Sequence, residues 1–372
     1  MAERIPINRS AMPDFEMYVD GLRMIWSRGQ VTNDGPVLKS FETALAAYLD
    51  TDKLCLLANG TLALQLTLQA MDLRGEVITT PFTFAATTHV CHAAGLRPVF
   101  VDIEGGYFNL DPAAVEAAIT PFTSAILPVH LFGHPCDMKA LEIIAEQHNL
   151  KVIYDAAQAF GVRVDGKPIG RFGDASVFSL HGTKVLQAGE GGLVVYREEA
   201  VGHLLRKLRY FGFEGDLDVV VPGTNAKMNE LEALMGVCNL GRLMADISHR
   251  QTLYNLYRQA LSEVPGISFA APLSGNIQYN YAYMPILVDP EDYGHDRTAL
   301  MNFLKKRGIA SRRYFYPLVS DYSCYRSLPR PDVPLATSVA QRILVLPMFT
   351  SLTRDEVLEI CYLIAAFRTM KE

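Results

Sequence analysis

Between residues 36 and 179 short apolar runs alternate with amphipathic stretches, and this alternation constrains the fold more than any other feature of the sequence. "KLCLLANG" is a buried strand that stops at Gly60, and "TLALQLTLQAM" is a helix opening at Thr61. "EVITTPF" is a strand, "AATTHVCHAAG" a helix closing on Gly95, and "RPVFVDI" the next strand. "DPAAVEAAI", "TSAILPVHLFG", "DMKALEIIAEQHN" and "KVIYDAA" continue the series as helix, strand, helix and strand. Strands that are apolar on both faces and joined by helices predict an α/β fold, a mainly parallel sheet covered on both sides. Residues 36–49, with Pro36 in front, form a further helix. A large α/β domain is expected over residues 1–245, including the N-terminal segment. After residue 246 a long polar helix ("DISHRQTLYNLYRQALSEV"), extended segments and a C-terminal helix ("TRDEVLEICYLIAAFR") predict a smaller α+β domain, 246–372. A chain of 372 residues is long enough for both cores.

A net charge of −6 argues against a nucleic-acid surface, which needs a concentrated basic face. No apolar run approaches the roughly 18 residues of a membrane span, and the opening "MAERIPINRSAMPDFEMY" has no leader-like apolar region. Six scattered cysteines without a CxxC pair fit reduced thiols in the cytoplasm.

In such a sheet, ligands sit at the carboxyl ends of strands. Gly60 and Thr61 stand where a strand hands over to a helix, so backbone N–H groups there either hold a phosphate or form an ordinary turn capped by Thr61. Asp155 ends the strand "KVIYD". A buried carboxylate needs a partner, which a protonated ring nitrogen or a neighbouring arginine would supply. Gln158 follows three residues later, on the same side of any helical turn. "FSLHGTKVLQAGEGG" holds one cation, Lys184, among small residues, with Ser179 and His181 ahead of it. A solvated lysine is the ordinary case, but a desolvated lysine is a nucleophile toward carbonyls. A phosphate turn, a strand-end aspartate and an isolated lysine together meet the demands of pyridoxal 5′-phosphate: an anchor for the phosphate, a partner for the pyridine nitrogen and an amine for the Schiff base.

Other motifs point elsewhere less well. "GVRVDGK" imitates a phosphate loop, but Pro168 follows where Ser or Thr is required, and a hairpin around Asp165-Gly166 fits better. His89/His92 and His130/His134 have ligand-like spacing without carboxylate or cysteine partners, so packing or hydrogen-bonding roles are expected and no metal. His181 serves either substrate or a local hydrogen bond. "ASRRYFYPL" sets Arg312 and Arg313 beside Tyr314, either to meet phosphates and a base or as an exposed strand with salt bridges.

The segment "YDAAQAFG … GDASVFSLHGTKVLQAGEGG" resembles the DegT/DnrJ/EryC1/StrS family of nucleotide-sugar aminotransferases. So do "GPVLKSFETALAAYL", "NGTLALQLTL", "TTPFTFAATTHV", "PVHLFGHPCDM" and "GTNAKMNELEALMG", nearly throughout the chain. The resemblance implies the pyridoxal-phosphate-dependent aspartate aminotransferase-like fold (fold type I). It implies that Lys184 carries the cofactor and shuttles the proton, Asp155 pairs with the pyridine nitrogen and Gln158 bonds near the ring hydroxyl. It further implies that Gly60, Thr61 and Ser179 bind phosphate and that Phe84 stacks on the ring. Asn225 falls where the family sends an asparagine into the neighbouring subunit's phosphate site, which implies a homodimer with shared active sites. Many relatives have His where Phe160 stands, and Pro or Ala where Gly182 stands. The Lys184 segment is similar to members that aminate C4 of a nucleotide-linked 4-keto-6-deoxy sugar, with glutamate as donor, giving products such as dTDP-4-amino-4,6-dideoxyglucose. Amination at C3, a regulatory protein that keeps the fold without turnover, and another pyridoxal enzyme of this fold are the alternatives. Lys184 argues against the dehydrase branch, which has His there.

Overall fold

A computed structural model describes residues 4–215 and 218–370. The central sheet is built from β1 (Leu54–Leu57), β2 (Glu76–Thr79), β3 (Arg97–Phe100), β4 (Thr123–Ile126), β5 (Lys151–Asp155), β6 (Ala175–Ser179) and β7 (Gly192–Tyr196). Its seven strands lie in the order β1-β7-β6-β5-β4-β2-β3. The pairs β2·β3, β2·β4, β4·β5 and β5·β6 are parallel, while β7 runs against both β1 and β6.

Alternate strand residues enter separate cores, as the period of two requires. Leu54, Leu56, Val152, Tyr154 and Phe178 pack on one face with α2 (Pro36–Leu49), the helix Met138–His148 and the helix Glu230–Leu240. Cys55, Leu57, Ile153 and Val177 pack on the other with α3 (Gly60–Ala70), α4 (Ala85–Ala93) and the helix Glu199–Leu208. A mainly parallel sheet with both faces covered is thus the observed architecture.

The second residue past β1 corrects one expectation. The α3 cap is Asn59, whose side chain accepts from Leu62 N–H at 2.9 Å, whereas Thr61 lies inside the first turn. The strand expected over "TSAILPVHLFG" ends at Ile126, and a short 3-10 turn follows over Leu131–Gly133. Pro128 lacks the N–H a longer ladder would need. The hairpin at Asp165-Gly166 is present, with Arg163 facing Pro168 and Val164 facing Lys167, so "GVRVDGK" is no phosphate loop.

A second core surrounds an antiparallel sheet of β8 (Ile267–Ser268), β9 (Met284–Val288) and β10 (Ile343–Leu346). The helices Leu243–Leu261, Arg297–Lys306 and Arg354–Phe367 pack on it. The N-terminal strap joins the two cores. Arg4 and Ile5 N–H bond to Gly308 C=O, and Gln187 Nε2 bonds to Ala11 C=O.

Helix α2 starts at Gly35 with no side-chain cap of its own. The buried carboxylate of Glu230 supplies one, accepting from Val37 N–H at 3.0 Å and Leu38 N–H at 2.8 Å. Two charge-assisted bonds to otherwise orphaned donors make this a strong tie between distant segments. Glu230→Ala is expected to lower the unfolding free energy by about 2–4 kcal/mol, read from denaturant titration, with Glu230→Gln closer to the parent.

Candidate active site

The carboxyl ends of β1, β5 and β6 converge on a cavity of about 620 Å³. Its walls include Gly60, Thr61, Phe84, Asp155, Gln158, Ser179, His181, Lys184 and Tyr314. Nine positions singled out from sequence are therefore brought together around one space.

Helix α3 points its N-terminus into this space, with Asn59, Gly60, Thr61 and Leu62 on the wall. Such a terminus presents unpaired N–H groups and the positive end of the helix dipole, a seat for an anion. A Cβ at Gly60 would lie 2.9 Å from Ser179 Cβ, so only glycine lets α3 approach the end of β6 this closely. The Ser179 hydroxyl stands beside the seat and accepts from His181 N–H at 3.3 Å.

Asp155 closes β5 and is 8% exposed. Its Oδ2 accepts from Thr87 Oγ1 at 2.8 Å and its Oδ1 from Ala157 N–H at 3.1 Å. Burial pushes its carboxyl above the ordinary range, against the opposing pull of those two hydrogen bonds and of the Lys184 charge. A cation arriving beside Asp155 would relieve that cost. No arginine lines the cavity among the described residues, so the arginine partner considered from sequence is not there.

Lys184 is half-buried on the turn after β6, where its N–H bonds to His181 C=O. Its Nζ donates to the Tyr283 hydroxyl at 3.4 Å. Gln158 accepts from Phe132 N–H through Oε1, leaving its NH₂ as the donor it can offer to a guest. Phe84 is 61% exposed at the start of α4, an open aromatic face on the cavity wall.

His181 is exposed and pairs its Nδ1 with Thr183 Oγ1 at 2.9 Å, so the local hydrogen bond exists while the ring still lines the cavity. Tyr314 lines the cavity, but Arg312 and Arg313 do not. Arg312 pairs its backbone with Val345, and Arg313 lies over the Tyr316 ring, 5.0 Å from its centroid. Asn225 is also off this wall, exposed, and accepts from Lys227 Nζ at 2.6 Å.

Phe160 stacks on Tyr48 in the core, and Gly182 faces the strap: a Cβ there would meet Ser10 Oγ at 2.9 Å. His130 and His134 are packing residues, stacked on Tyr154 and Tyr279. Burial pulls them down to about 3 and about 4, respectively, so both are neutral near pH 7. His89 bonds to the Tyr325 hydroxyl. No cluster of metal-binding side chains occurs among the described residues, nor any helix long and apolar enough to cross a membrane.

Asn59, Thr87, Tyr283 and Asn8, the last a cavity-wall residue whose Nδ2 donates to Thr183 C=O at 3.2 Å, are outside the set expected from sequence. Asn59 had a visible signal, since Asn directly before a helix is a favoured cap. The other three act through contacts distant in sequence.

A lysine amine, a buried carboxylate and a helix N-terminus thus share one cavity at the strand ends of an α/β fold, where such sheets place their ligands. The chain belongs to the DegT/DnrJ/EryC1/StrS aminotransferase family, which it matches over residues 16–365. It is 40% identical to a dTDP-4-amino-4,6-dideoxy-D-glucose transaminase of Shigella dysenteriae over 372 residues, the whole of both chains. It is 38% identical to a protein of the same name from Escherichia coli, with 97% of this chain and 98% of that one covered. Among solved structures, DesI in the presence of its TDP-sugar product superposes with a TM-score of 0.93 at 35% identity, covering 99% of this chain and 94% of that one.

Proposed function

We propose that the cavity binds pyridoxal 5′-phosphate and that the enzyme moves an amino group from glutamate to C4 of a nucleotide-linked 4-keto-6-deoxy sugar. The product is a 4-amino-4,6-dideoxy sugar such as dTDP-4-amino-4,6-dideoxyglucose. The observation that carries this is the meeting of Lys184, Asp155 and the α3 N-terminus in one cavity. The names of the Shigella and Escherichia relatives support the choice of sugar.

When bound, the cofactor supplies an aldehyde for the lysine and a ring that stores electrons. The residues present fit it. The α3 N–H groups of Gly60 and Thr61, with Ser179, would hold the phosphate where glycine lets α3 approach the end of β6. Asp155, whose carboxyl burial pushes up, would keep the ring nitrogen protonated and be stabilised by that charge in turn. Gln158 would offer its NH₂ to the ring hydroxyl, and Phe84 would offer its exposed aromatic face to the ring. Lys184 Nζ takes the proton from the donor's α-carbon, and in the second half-reaction it returns one to C4 of the sugar. Tyr283, 3.4 Å from that amine, fixes its direction. His181 and Tyr314 also line the cavity and are the contacts offered to the sugar; Arg312 and Arg313 are not on its wall.

In this reading residues 1–245 carry the cofactor and 246–372 complete the far wall. Asn225 serves the partner subunit's phosphate site in a homodimer. The exposed Met17, Met24 and Trp26 on α1 (Phe15–Arg28) support a covered surface there. Sedimentation at twice the 41.2 kDa chain mass is expected, and a monomer would remove the shared site.

The substrate assignment is tested by incubating the protein with cofactor, glutamate and a panel of dTDP-, UDP- and GDP-linked 3-keto and 4-keto sugars, with products read by mass spectrometry. Amination of a 4-keto-6-deoxy sugar is expected; amination confined to 3-keto sugars would contradict it.

A further inference from the structure

The Lys184–Tyr283 pair is flanked by two side chains, one on the cavity wall and one in the core, that hydrogen-bond to the backbone beside it. Asn8, on the N-terminal strap, donates through Nδ2 to Thr183 C=O at 3.2 Å and to Met348 C=O at 3.4 Å. Thr183 is the residue directly before Lys184. Arg250, on the long helix Leu243–Leu261, is 1% exposed. Its Nη1 donates to the same Met348 C=O at 3.2 Å and to Ala282 C=O at 3.4 Å. Ala282 directly precedes Tyr283. The bonds therefore form a closed ring: Lys184, Thr183, Asn8, Met348, Arg250, Ala282, Tyr283 and back to Lys184 through its Nζ.

Two features set this ring apart from ordinary core bonding. Burying a guanidinium is costly, and here it is aimed at carbonyls of two separate segments, with Nε left without a partner. Asn8 Oδ1 is likewise buried and unpaired. The strap is already anchored by backbone bonds at Arg4, Ile5 and Ile7, so the Asn8 amide is not needed to hold it. Leaving polar atoms unpaired while directing the donors at the neighbours of a reacting pair is the pattern of a geometric constraint.

We propose that Asn8 and Arg250 are positioning residues, which hold the Lys184 amine opposite the Tyr283 hydroxyl by fixing the backbone beside each. This rests on Lys184 being the reacting amine. The ring joins the strap, the turn after β6, the long helix and the entry and exit of the second sheet. An amine displaced by about 1 Å reacts far more slowly, so the effect falls on reaction at Lys184 rather than on filling of the cavity.

The test uses apoprotein and follows the visible absorbance that grows as added pyridoxal 5′-phosphate bonds to the lysine. Asn8→Leu and Arg250→Met are each expected to slow this covalent capture at least about tenfold. In Arg250→Met, whose side chain is off the cavity wall, the Kd for pyridoxamine 5′-phosphate, which cannot bond to Lys184, should stay within about twofold of the parent; Asn8 lines the cavity, so its variant is compared by capture rate at saturating cofactor. Tyr283→Phe should slow capture as well, and combining it with Asn8→Leu should slow it less than the product of the two separate effects, since both act through one ring. Capture at the parental rate in Asn8→Leu, or effects that multiply in the double variant, would overturn the proposal. If Arg250→Met does not fold, the Asn8→Leu result decides alone. Parent protein that captures no cofactor would refute the proposed function and this inference together, an outcome distinct from normal capture in every variant.

Discussion

Replacing Lys184 by alanine is expected to cut amino transfer by about 10⁴-fold or more, and to remove the visible absorbance of the lysine-bound cofactor. Lys184 is the lysine that lines the cavity among the described residues, and no other amine there can take its place. The loss should be chemical and not structural. Lys184 is half-buried on a turn, and the fold around it rests on the apolar strands β6 and β7. Unfolding free energy should therefore change by no more than about 1 kcal/mol. Lys184→Arg gives the sharper comparison. Arginine keeps the positive charge near Asp155 but stays protonated and cannot act as a nucleophile, so it should be as inactive as alanine. Substantial activity in the arginine variant would mean that the charge at this position matters and the amine does not.

Asp155→Asn should separate catalysis from stability. Without a carboxylate beside the ring nitrogen, kcat is expected to fall by about 10²–10⁴-fold. The apoprotein, by contrast, should become more resistant to heat at neutral pH. Burial raises the Asp155 pKa above its unfolded value of 3.8. A raised carboxyl binds its proton more tightly in the folded chain. Its stabilising contribution is full below 3.8 and is lost as pH rises through the folded value. At pH 7 the parent thus carries a desolvated charge that asparagine lacks. Asparagine keeps the local bonds, since its oxygen can accept from Ala157 N–H and its NH₂ can donate to Thr87 Oγ1. The melting-temperature advantage of Asp155→Asn should accordingly be larger at pH 7 than at pH 4, and should shrink in cofactor-loaded protein, where the ring nitrogen pairs the parental carboxylate. An unchanged kcat, or an apoprotein less stable than the parent at pH 7, would contradict the assignment.

The strand ends were the legible part of this sequence. Asp155 closes an apolar run, Ser179 closes another and Gly60 follows a third, so the rule for open α/β sheets gathers them before any coordinates are known. Lys184 stands out as a lone cation among small residues. Thr87 does not, because one of two adjacent threonines in "AATTHV" gains meaning only when α4 packs against the end of β5. Tyr283 sits in "YNYAYMP", one of several aromatics, and its relation to Lys184 depends on how the second sheet meets the first. Asn8 and Arg250 are further still, since their partners are backbone carbonyls, which no sequence pattern marks. The cap at Asn59 shows a different limit. Asn and Thr flank Gly60 and both suit a helix start, so only the observed bond to Leu62 N–H decides between them. Arg312 and Arg313 share the segment of Tyr314, yet of the three only the tyrosine lines the cavity; the segment makes a single bridge at Arg312 and turns at Tyr314 and Phe315, an irregular path that no sequence period marks.

The role proposed for Lys184 requires one covalent bond. Protein loaded with pyridoxal 5′-phosphate, reduced with borohydride, digested and sequenced by mass spectrometry should carry the pyridoxyl mass on Lys184. A label on another lysine, or none in protein that has bound the cofactor, would contradict it.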